Sequence, residues 1–196
     1  MTQGPITIER KTKETEIAVT IEERGSLDPA VNVDTPVPFF NHMVQALLFH
    51  GGFSATIRGT GDVEVDPHHL VEDTGLVLGD ALTELQEQRG SIMRFGHAVI
   101  PMDDALAEVA VDACNRPYLV YRATFPQAYA GTFDLSLARE FFQGLASRGR
   151  LNLHMEARYG VNGHHLVEAL FKACGRALGA SYTPRAGSVP STKGSL

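Results

Sequence analysis

The stretch HHLVEDTGLVLGDAL at residues 68–82 returns 96 residues later as HHLVEALFKACGRAL at residues 164–178. The two stretches share eight of their fifteen residues, among them two adjacent histidines, a glutamate and a glycine. Self-similarity of this length indicates a duplicated unit. Apolar residues recur at helical spacing in both stretches, so each is predicted to form a helix.

Other segments extend the duplication. PFFNHMVQALLFHGG (38–52) and EFFQGLASRG (140–149) are each predicted to form a short helix that begins near Phe-Phe and ends at glycine. Alternating apolar and polar residues predict strands in TEIAVTIEE (15–23), RPYLVYRAT (116–124) and LNLHME (151–156).

These patterns predict an internally duplicated α+β fold, in which each of two similar halves is a mixed β-sheet with helices packed on one face. The predicted halves are residues 1–92 and 93–183. Residues 184–196 are rich in Pro, Gly and Ser, and taken alone they predict a flexible tail.

The composition limits the classes of partner. The chain has 23 acidic and 17 basic residues and a net charge of -6, which argues against nucleic acid or an anionic membrane as partner. It has no long apolar run and no secretory leader pattern, so a cytoplasmic protein is predicted. Cys114 and Cys174 lack metal-ligand spacing and are predicted to be small buried residues. A Walker loop and a GxGxxG motif are both absent, so a nucleotide is not indicated.

The two HHLVE motifs predict metal ligands. Residues four apart lie side by side on a helix, so the first histidine of each motif and its glutamate could hold one metal. These pairs are His68 with Glu72 and His164 with Glu168. The second histidines, His69 and His165, point about 100° away and suit a different metal, although pairing with the glutamate three residues on stays open. Imidazole and carboxylate together suit Zn, Mn, Fe or Ni. The alternative is an exposed helix start without a metal.

Two further histidines extend these ligand sets. His42 lies on the predicted helix that also carries Gln45 and His50, and His154 lies on the polar face of a predicted strand. They do not correspond across the duplication, because Arg58 matches His154 and Gly144 matches His42. Each half therefore contributes a different extra histidine, which would complete two sites of three histidines and one glutamate.

Three basic residues are candidates for binding an anion. Lys172 continues the side of the helix that carries His164 and Glu168, and its alternative role is a surface partner for Glu168. Arg94 and Arg116 flank predicted strands and could clamp a planar anion, whereas the alternative for each is a solvated surface charge.

Seven segments in order, FFNHM, HHLVEDT, RFGHAVIPMDDAL, NRPY, LH, GVNGHHLVEALFKA and PSTKG, together resemble the imidazoleglycerol-phosphate dehydratase family. The resemblance runs from about residue 9 to residue 196. It implies a hydro-lyase of L-histidine biosynthesis that dehydrates D-erythro-1-(imidazol-4-yl)glycerol 3-phosphate to 3-(imidazol-4-yl)-2-oxopropyl phosphate. It also implies two Mn²⁺ ions per active site, a phosphorylated imidazole substrate, and a homo-oligomer, expected to be a 24-mer, with sites between subunits.

The resemblance also implies residue roles. One metal would take His68, Glu72, His154 and His165, and the other His42, His69, His164 and Glu168. Glu14, in the KTKET segment, resembles the family's candidate acid and base, although an exposed strand glutamate is the alternative. The implied catalytic residues are Glu14, His68, Glu72, His165 and Glu168. The implied substrate-binding residues are Glu14, Gln45, His50, Arg94, Arg116, Lys172, Ser191, Thr192 and Lys193.

The chain departs from the family pattern at two places. Asn41 stands where relatives commonly have Asp, which predicts a modest weakening of one metal site through His42. Cys114-Asn115 stands where Ser-Gly is commoner, which puts the local turn in doubt. Two other functions remain open: a dinuclear metal hydrolase, and a metal-storage assembly without enzymatic activity.

Overall fold

Both halves of the chain build the same order of strands and helices. The structure, a computed structural model, describes residues 4–22 and 28–187. The first half contains β1 (Ile6–Lys11), β2 (Thr15–Ile21), β3 (Val31–Asp34), α1 (Pro38–Gly51), β4 (Ala55–Gly61) and α2 (His68–Arg89). The second half contains β5 (Phe95–Met102), β6 (Ala105–Ala113), β7 (Tyr118–Arg122), β8 (Tyr129–Ala130), β9 (Phe133–Asp134), α3 (Leu137–Arg148), β10 (Leu151–Tyr159) and α4 (Gly163–Ser181). A small β8–β9 hairpin is the addition in the second half.

Each half forms a four-stranded mixed sheet. The strand orders are β1-β2-β4-β3 and β5-β6-β10-β7, and in each sheet the last pair is parallel while the others are antiparallel. Strand alternation explains which face is covered: Ile17, Val19 and Ile21 of β2 are almost fully buried, and the residues between them face outward. The predicted α+β duplication with mixed sheets is confirmed.

The helices cover one face of each sheet and pack against each other between the halves. Helix α2 contacts β1, β2 and β4, and helix α4 contacts β5, β6 and β10. Across the halves, α2 packs on α3 and α4 packs on α1. The hydrophobic core therefore lies along these helices and the inner faces of the sheets.

Glycines fix the two helix crossings in the same register. A Cβ added at Gly175 of α4 would lie 2.0 Å from the carbonyl oxygen of Leu47 on α1. A Cβ added at Gly79 of α2 would lie 2.6 Å from the amide nitrogen of Gly149, at the end of α3. Gly79 matches Gly175 in the repeat, and aligning the Phe-Phe pairs places Leu47 on Gly149. The repeated glycine is therefore required by backbone contact in both copies.

The predicted helix ends are mostly right. Helix α1 ends with Gly52 at a φ of 72°, the left-handed conformation that favours glycine. Helix α3 begins at Leu137, four residues before the Phe-Phe pair (141–142) near which it was predicted to begin, and Asp134 just before it accepts a hydrogen bond from the amide of Ser136.

Two further predictions concern burial and location. Cys114 and Cys174 are both buried and unpaired with each other, as predicted. Within the described ranges, no helix is both long enough and apolar enough to cross a membrane. The cytoplasmic location and the boundaries at residues 92/93 and 183/184 stay predictions.

Candidate metal centre

Helix α4 and helix α1 bring three ligand atoms to one point. The side chain of Asn162 accepts a hydrogen bond from the amide of His164 and so caps the start of α4. One turn later, Oε2 of Glu168 lies 3.0 Å from Nε2 of His164 and 3.4 Å from Nε2 of His42 on α1. Among residues 4–22 and 28–187, this is the one trio of histidine, cysteine or carboxylate ligand atoms that lie within 4.8 Å of one another. We call these three residues the α4 cluster.

A lysine on the same helix stabilises the negative charge of Glu168. Its side chain is only 7% exposed, and Nζ of Lys172 lies 2.8 Å from Oε1, the oxygen that faces away from the histidines. Burial opposes ionisation and would raise the pKa of Glu168, but the Lys172 ammonium and the two histidines outweigh it and hold the pKa below its usual value. The carboxylate is therefore ionised and presents Oε2 to both imidazoles.

A cavity of about 500 Å³ opens beside the α4 cluster. Gln45 and His50 of α1 line it together with His42, Glu168 and Lys172. Partial burial and the nearby Lys172 and Arg176 lower the pKa of His50, so this imidazole is neutral near pH 7. The cavity thus combines a neutral imidazole and an amide with one ammonium group.

The start of α2 carries a second, more open group, which we call the α2 cluster: Glu14, His68, His69 and Glu72. Nε2 of His68 lies 3.8 Å from Oε2 of Glu72. Nδ1 of His69 lies 3.1 Å from Oδ2 of Asp62 and 3.8 Å from Oε2 of Glu14. The hydrogen bond with Asp62 raises the pKa of His69. All four side chains keep at least 40% of their surface exposed, so the cluster is open to a partner.

Asp73 holds the hairpin that carries Glu14 against α2. Its carboxylate accepts a hydrogen bond from Nε of Arg10 on β1 at 3.0 Å and another from the hydroxyl of Thr15 on β2. Since Glu14 directly precedes Thr15, the buried Asp73 fixes the position of the Glu14 backbone beside the histidines.

His165 lies next to the α4 cluster but has its own carboxylate partner. Its Nδ1 lies 2.5 Å from Oδ1 of Asp104 in the β5–β6 turn. The other oxygen of Asp104 accepts hydrogen bonds from the amides of Val161 and Asn162. The bond with His165 and these two amides lower the pKa of Asp104 to about 2. Asp103 lies on the other side, 3.6 Å from Nε2, with 76% of its side chain exposed.

His154 lies apart from both clusters. It is exposed on the outer face of its sheet, in the middle of β10, where it is paired with Ala110 and Val120 of the neighbouring strands. It lines a surface cavity of about 290 Å³ with Arg122 and other polar residues. The helices cover the opposite face, so His154 faces away from its own chain's clusters.

The predicted ligand sets are therefore not assembled within one chain. In the described part of the chain, no hydrogen bond or ion pair joins the α2 cluster to the α4 cluster. Gly144 of α3 explains why α2 has no trio of its own: at the position that matches His42, a Cβ would lie 2.8 Å from the backbone oxygen of Glu72. The close helix contact at α2 leaves no room for a side chain there.

The predicted phosphate ligands fall in different places. Arg94 forms a forked ion pair with Asp112, with its Nε and Nη2 at 2.6 and 3.0 Å from the carboxylate oxygens. Arg116 is exposed between β6 and β7. Ser191, Thr192 and Lys193 lie outside the described residues. The chain leads toward them from Pro184, which bridges to Ile92 two residues before Arg94.

The two departures from the family pattern have simple structural outcomes. Asn41 accepts a hydrogen bond from the Thr35 hydroxyl at 2.6 Å and donates one to the Thr35 carbonyl at 2.9 Å. Its amide is thus hydrogen-bonded at the start of α1, and the expected weakening of one metal site through His42 stays a prediction. Asn115 has a φ of 58°, a left-handed conformation that Asn tolerates best after Gly, so the turn before Arg116 is preserved.

The donor set fits a first-row divalent metal. Imidazole nitrogen and carboxylate oxygen are ligands that Mn²⁺, Fe²⁺ and Zn²⁺ all accept, and in the α4 cluster they point at one place. The α2 cluster offers the same donor types on an open surface. Asp62 and Asp104 were not among the predicted site residues, although the DD pair in RFGHAVIPMDDAL and an Asp shortly before the first HHLVE are visible signals in the sequence.

Known proteins resemble this chain over nearly all its length. A sequence model of the imidazoleglycerol-phosphate dehydratase family matches residues 35–178. The imidazoleglycerol-phosphate dehydratase of Bacillus velezensis is 48% identical over 189 residues, covering 95% of this chain and 96% of that protein. That of Halalkalibacterium halodurans is 48% identical over 192 residues, with 97% and 98% covered.

Solved structures agree with the sequence matches. The crystal structure of imidazoleglycerol-phosphate dehydratase from Staphylococcus aureus has a TM-score of 0.82 and 36% identity, with 93% of this chain and 100% of that chain covered. The enzyme from Pyrococcus furiosus, crystallised in complex with (S)-C348, has a TM-score of 0.85 and 39% identity, with 96% and 100% covered. This chain therefore belongs to the imidazoleglycerol-phosphate dehydratase family of histidine biosynthesis.

Proposed function

We propose that this chain catalyses the metal-dependent dehydration of D-erythro-1-(imidazol-4-yl)glycerol 3-phosphate to 3-(imidazol-4-yl)-2-oxopropyl phosphate. A hydroxide leaves the carbon attached to the ring, a proton leaves the next carbon, and the resulting enol becomes the ketone. The observation that carries the proposal is the α4 cluster, where His42, His164 and Glu168 converge with Lys172 beside them. A divalent metal at the α4 cluster would lie beside the ammonium group of Lys172. These two positive charges are complementary to a substrate in which an imidazole is joined to a phosphate.

The proposed metals are two Mn²⁺ ions. His42, His164 and Glu168 would hold one of them together with His69. His68, Glu72, His154 and His165 would hold the other. When bound, the metals stabilise negative charge on the imidazole ring of the substrate.

The proposed sites require more than one copy of the chain. The α2 cluster contributes to both ligand sets, yet among the described residues of one chain no hydrogen bond or ion pair joins it to the α4 cluster, and His154 faces outward on a third surface. A neighbouring copy that brings its α2 cluster to this α4 cluster completes both sets. A homo-oligomer with sites between subunits, the 24-mer expected from the family resemblance, meets this requirement.

The remaining residues have roles that follow from their chemistry. Glu14 keeps 58% of its side chain exposed and lies near His69, so its carboxylate can accept and return a proton at Oε2 when the clusters meet. Gln45 and the neutral His50 line the cavity and can hydrogen-bond the glycerol hydroxyls. Lys172 can bind the phosphate as a point charge. Arg94, Arg116, Ser191, Thr192 and Lys193 are proposed to complete that phosphate site.

The hydrolase and storage alternatives are less favoured by the same geometry. Neither requires an ammonium 2.8 Å from a metal-ligating carboxylate at the edge of a cavity of this size. A storage function also leaves Gln45 and His50 without a role.

The proposal is tested by adding Mn²⁺ back to metal-stripped protein in the presence of imidazole glycerol phosphate. We expect phosphorylated ketone to appear in proportion to bound metal and to reach its plateau near two Mn²⁺ per chain. Two bound metals without ketone would contradict the dehydratase and favour the hydrolase or storage function. Ketone formed by fully stripped protein would contradict the metal dependence.

A further inference from the structure

We propose that Asp62 and Asp104 are positioning residues, each of which holds the Nδ1 atom of one histidine so that the Nε2 atom of the same ring is directed to a metal. Asp62 acts on His69 and Asp104 acts on His165. This inference rests on the proposed metal-dependent function, and the two can fail separately.

Asp104 connects the start of α4 to the ring of His165. One carboxylate oxygen accepts two backbone hydrogen bonds at the start of α4, at 2.6 Å from the nitrogen of Val161 and 3.1 Å from that of Asn162. The other oxygen lies 2.5 Å from Nδ1 of His165. An ionised carboxylate can only accept, so Nδ1 carries the proton, and a ring with that one proton has its Nε2 lone pair available for a metal. The ring and the helix start are thereby held by one side chain.

Asp62 makes the same connection in the other copy. It follows β4 directly, and its two carboxylate oxygens lie 3.1 and 3.3 Å from Nδ1 of His69. Its backbone amide donates to the carbonyl of Glu14 at 3.1 Å, which ties the residue to the β1–β2 turn. Nε2 of His69 is again the nitrogen left for a metal.

The first histidine of each motif is arranged differently. His68 and His164 both present Nε2 toward the glutamate one turn on, at 3.8 and 3.0 Å. In each motif, therefore, the helix orients the first histidine beside its glutamate, and an aspartate outside the motif orients the second. The two adjacent rings can then serve two metals.

The two aspartates do not occupy matching positions in the two repeats. Glu14 and Asp104 occupy matching places, each directly before the second strand of its hairpin. In the second half, Asp104 bonds the histidine. In the first half, the longer Glu14 lies 3.8 Å from His69, and Asp62 makes the bond in its place. Asp62 therefore leaves the Glu14 carboxylate available for proton transfer.

The test compares Asp62→Asn and Asp104→Asn with a matched control, Asp66→Asn. Asp66 lies in the same loop as Asp62 and its carboxylate accepts from the backbone amide of His68, so it carries an equal charge without a bond to a ring. Two properties of each protein are measured: Mn²⁺ affinity by calorimetric titration of metal-stripped protein, and the protonated ring nitrogen by long-range ¹H–¹⁵N NMR, with the pH increased until the ring signals no longer change.

We expect Asp62→Asn and Asp104→Asn each to weaken binding of one Mn²⁺ by about 10- to 100-fold. We also expect the proton of the affected ring to leave Nδ1 in the metal-free protein. Asp66→Asn should change neither property. Thermal unfolding of the metal-free variants checks the fold, and Asp62→Asn is the decisive variant because Asp104 also holds the start of α4.

Unchanged Mn²⁺ affinity in Asp62→Asn, with two ions still bound by the unaltered chain, overturns the positioning role and leaves the proposed function intact. An equal loss in Asp66→Asn also overturns it, because charge alone would then explain the effect. If the unaltered chain binds no Mn²⁺, both proposals are wrong.

Discussion

At the scale of single residues, Glu168 is the best-defined group of the proposed site. Two imidazoles approach one of its oxygens and an ammonium approaches the other, while the side chain is almost fully buried. Removing a charge partner from a buried carboxylate is costly, because the carboxylate then keeps its desolvation without compensation. The ion pair with Lys172 should therefore stabilise the fold of the metal-free protein as well as the site.

The variant Lys172→Met tests this contribution. The pKa of Glu168 in the folded protein lies below its usual value. The ion pair therefore stabilises the fold fully when the pH is above the usual pKa, and this contribution is lost as the pH falls through the lowered pKa. We expect Lys172→Met to reduce the free energy of unfolding by about 1–2 kcal/mol near pH 7, moderated because Lys172 is 23% exposed. The difference should shrink toward about pH 3.5.

Urea unfolding of metal-free protein at the two pH values measures the difference. Arg176→Gln, which removes an exposed charge one turn further along α4, is the control. A deficit in Lys172→Met that is equally large at both pH values would contradict an origin in Glu168.

Residue types predicted chemistry better than they predicted contacts. The spacing of His164 and Glu168 was sufficient to predict that they lie together, because helix geometry is local. The partners Asp62 and Asp104 were not predicted, since each reaches its histidine through a turn whose conformation the sequence does not specify. The hydrogen bonds of Asn41 were not predicted for the same reason: its side-chain partner is Thr35.

At the scale of helices and strands, the two repeats keep their framework, and one difference between them decides where candidate ligands converge. The match in element order and in helix crossings follows from the duplication. At the contact with the motif helix, α1 carries His42 and α3 carries Gly144. The first gives a trio of candidate ligands in which only the glutamate is buried, and the second gives a close backbone contact. The repeated motif taken alone would make the two halves equivalent, but helix packing makes them unequal.

The glycine in the helix crossing gives a prediction at this scale. Replacing a helical Gly by Ala ordinarily stabilises a helix by about 1 kcal/mol. In Gly175→Ala, the new Cβ would lie 2.0 Å from the backbone of Leu47, so α1 and α4 must separate. We expect a net loss of about 1–3 kcal/mol in the free energy of unfolding, measured with urea.

The control for this variant is Gly4→Ala, since a Cβ there has no heavy atom within 4 Å. A Gly175→Ala protein as stable as the unaltered chain would mean that the crossing can relax and does not depend on the glycine. Because α1 carries His42 and α4 carries His164, the separation should also weaken Mn²⁺ binding.

At the scale of the whole molecule, the proposed ligands lie on three surfaces of one chain. The α2 cluster is open to solvent, the α4 cluster lines a cavity, and His154 lies on the outer face of a sheet. The sequence predicted the fold class because hydrophobic alternation and repetition extend over many residues. Motif spacing carries no information about which copy of the chain supplies each group, so sites between subunits were implied only by the family resemblance.

The most direct test of a site shared between copies is complementation between two inactive variants, His69→Ala in the α2 cluster and His164→Ala in the α4 cluster. The two chains are mixed in equal amounts in denaturant, refolded together with Mn²⁺, and assayed for dehydration of imidazole glycerol phosphate. If one copy supplies the α2 cluster and another the α4 cluster, random assembly leaves about a quarter of the sites intact. We expect about a quarter of the activity of the unaltered chain, whereas activity no higher than that of the variants refolded separately would contradict the shared site.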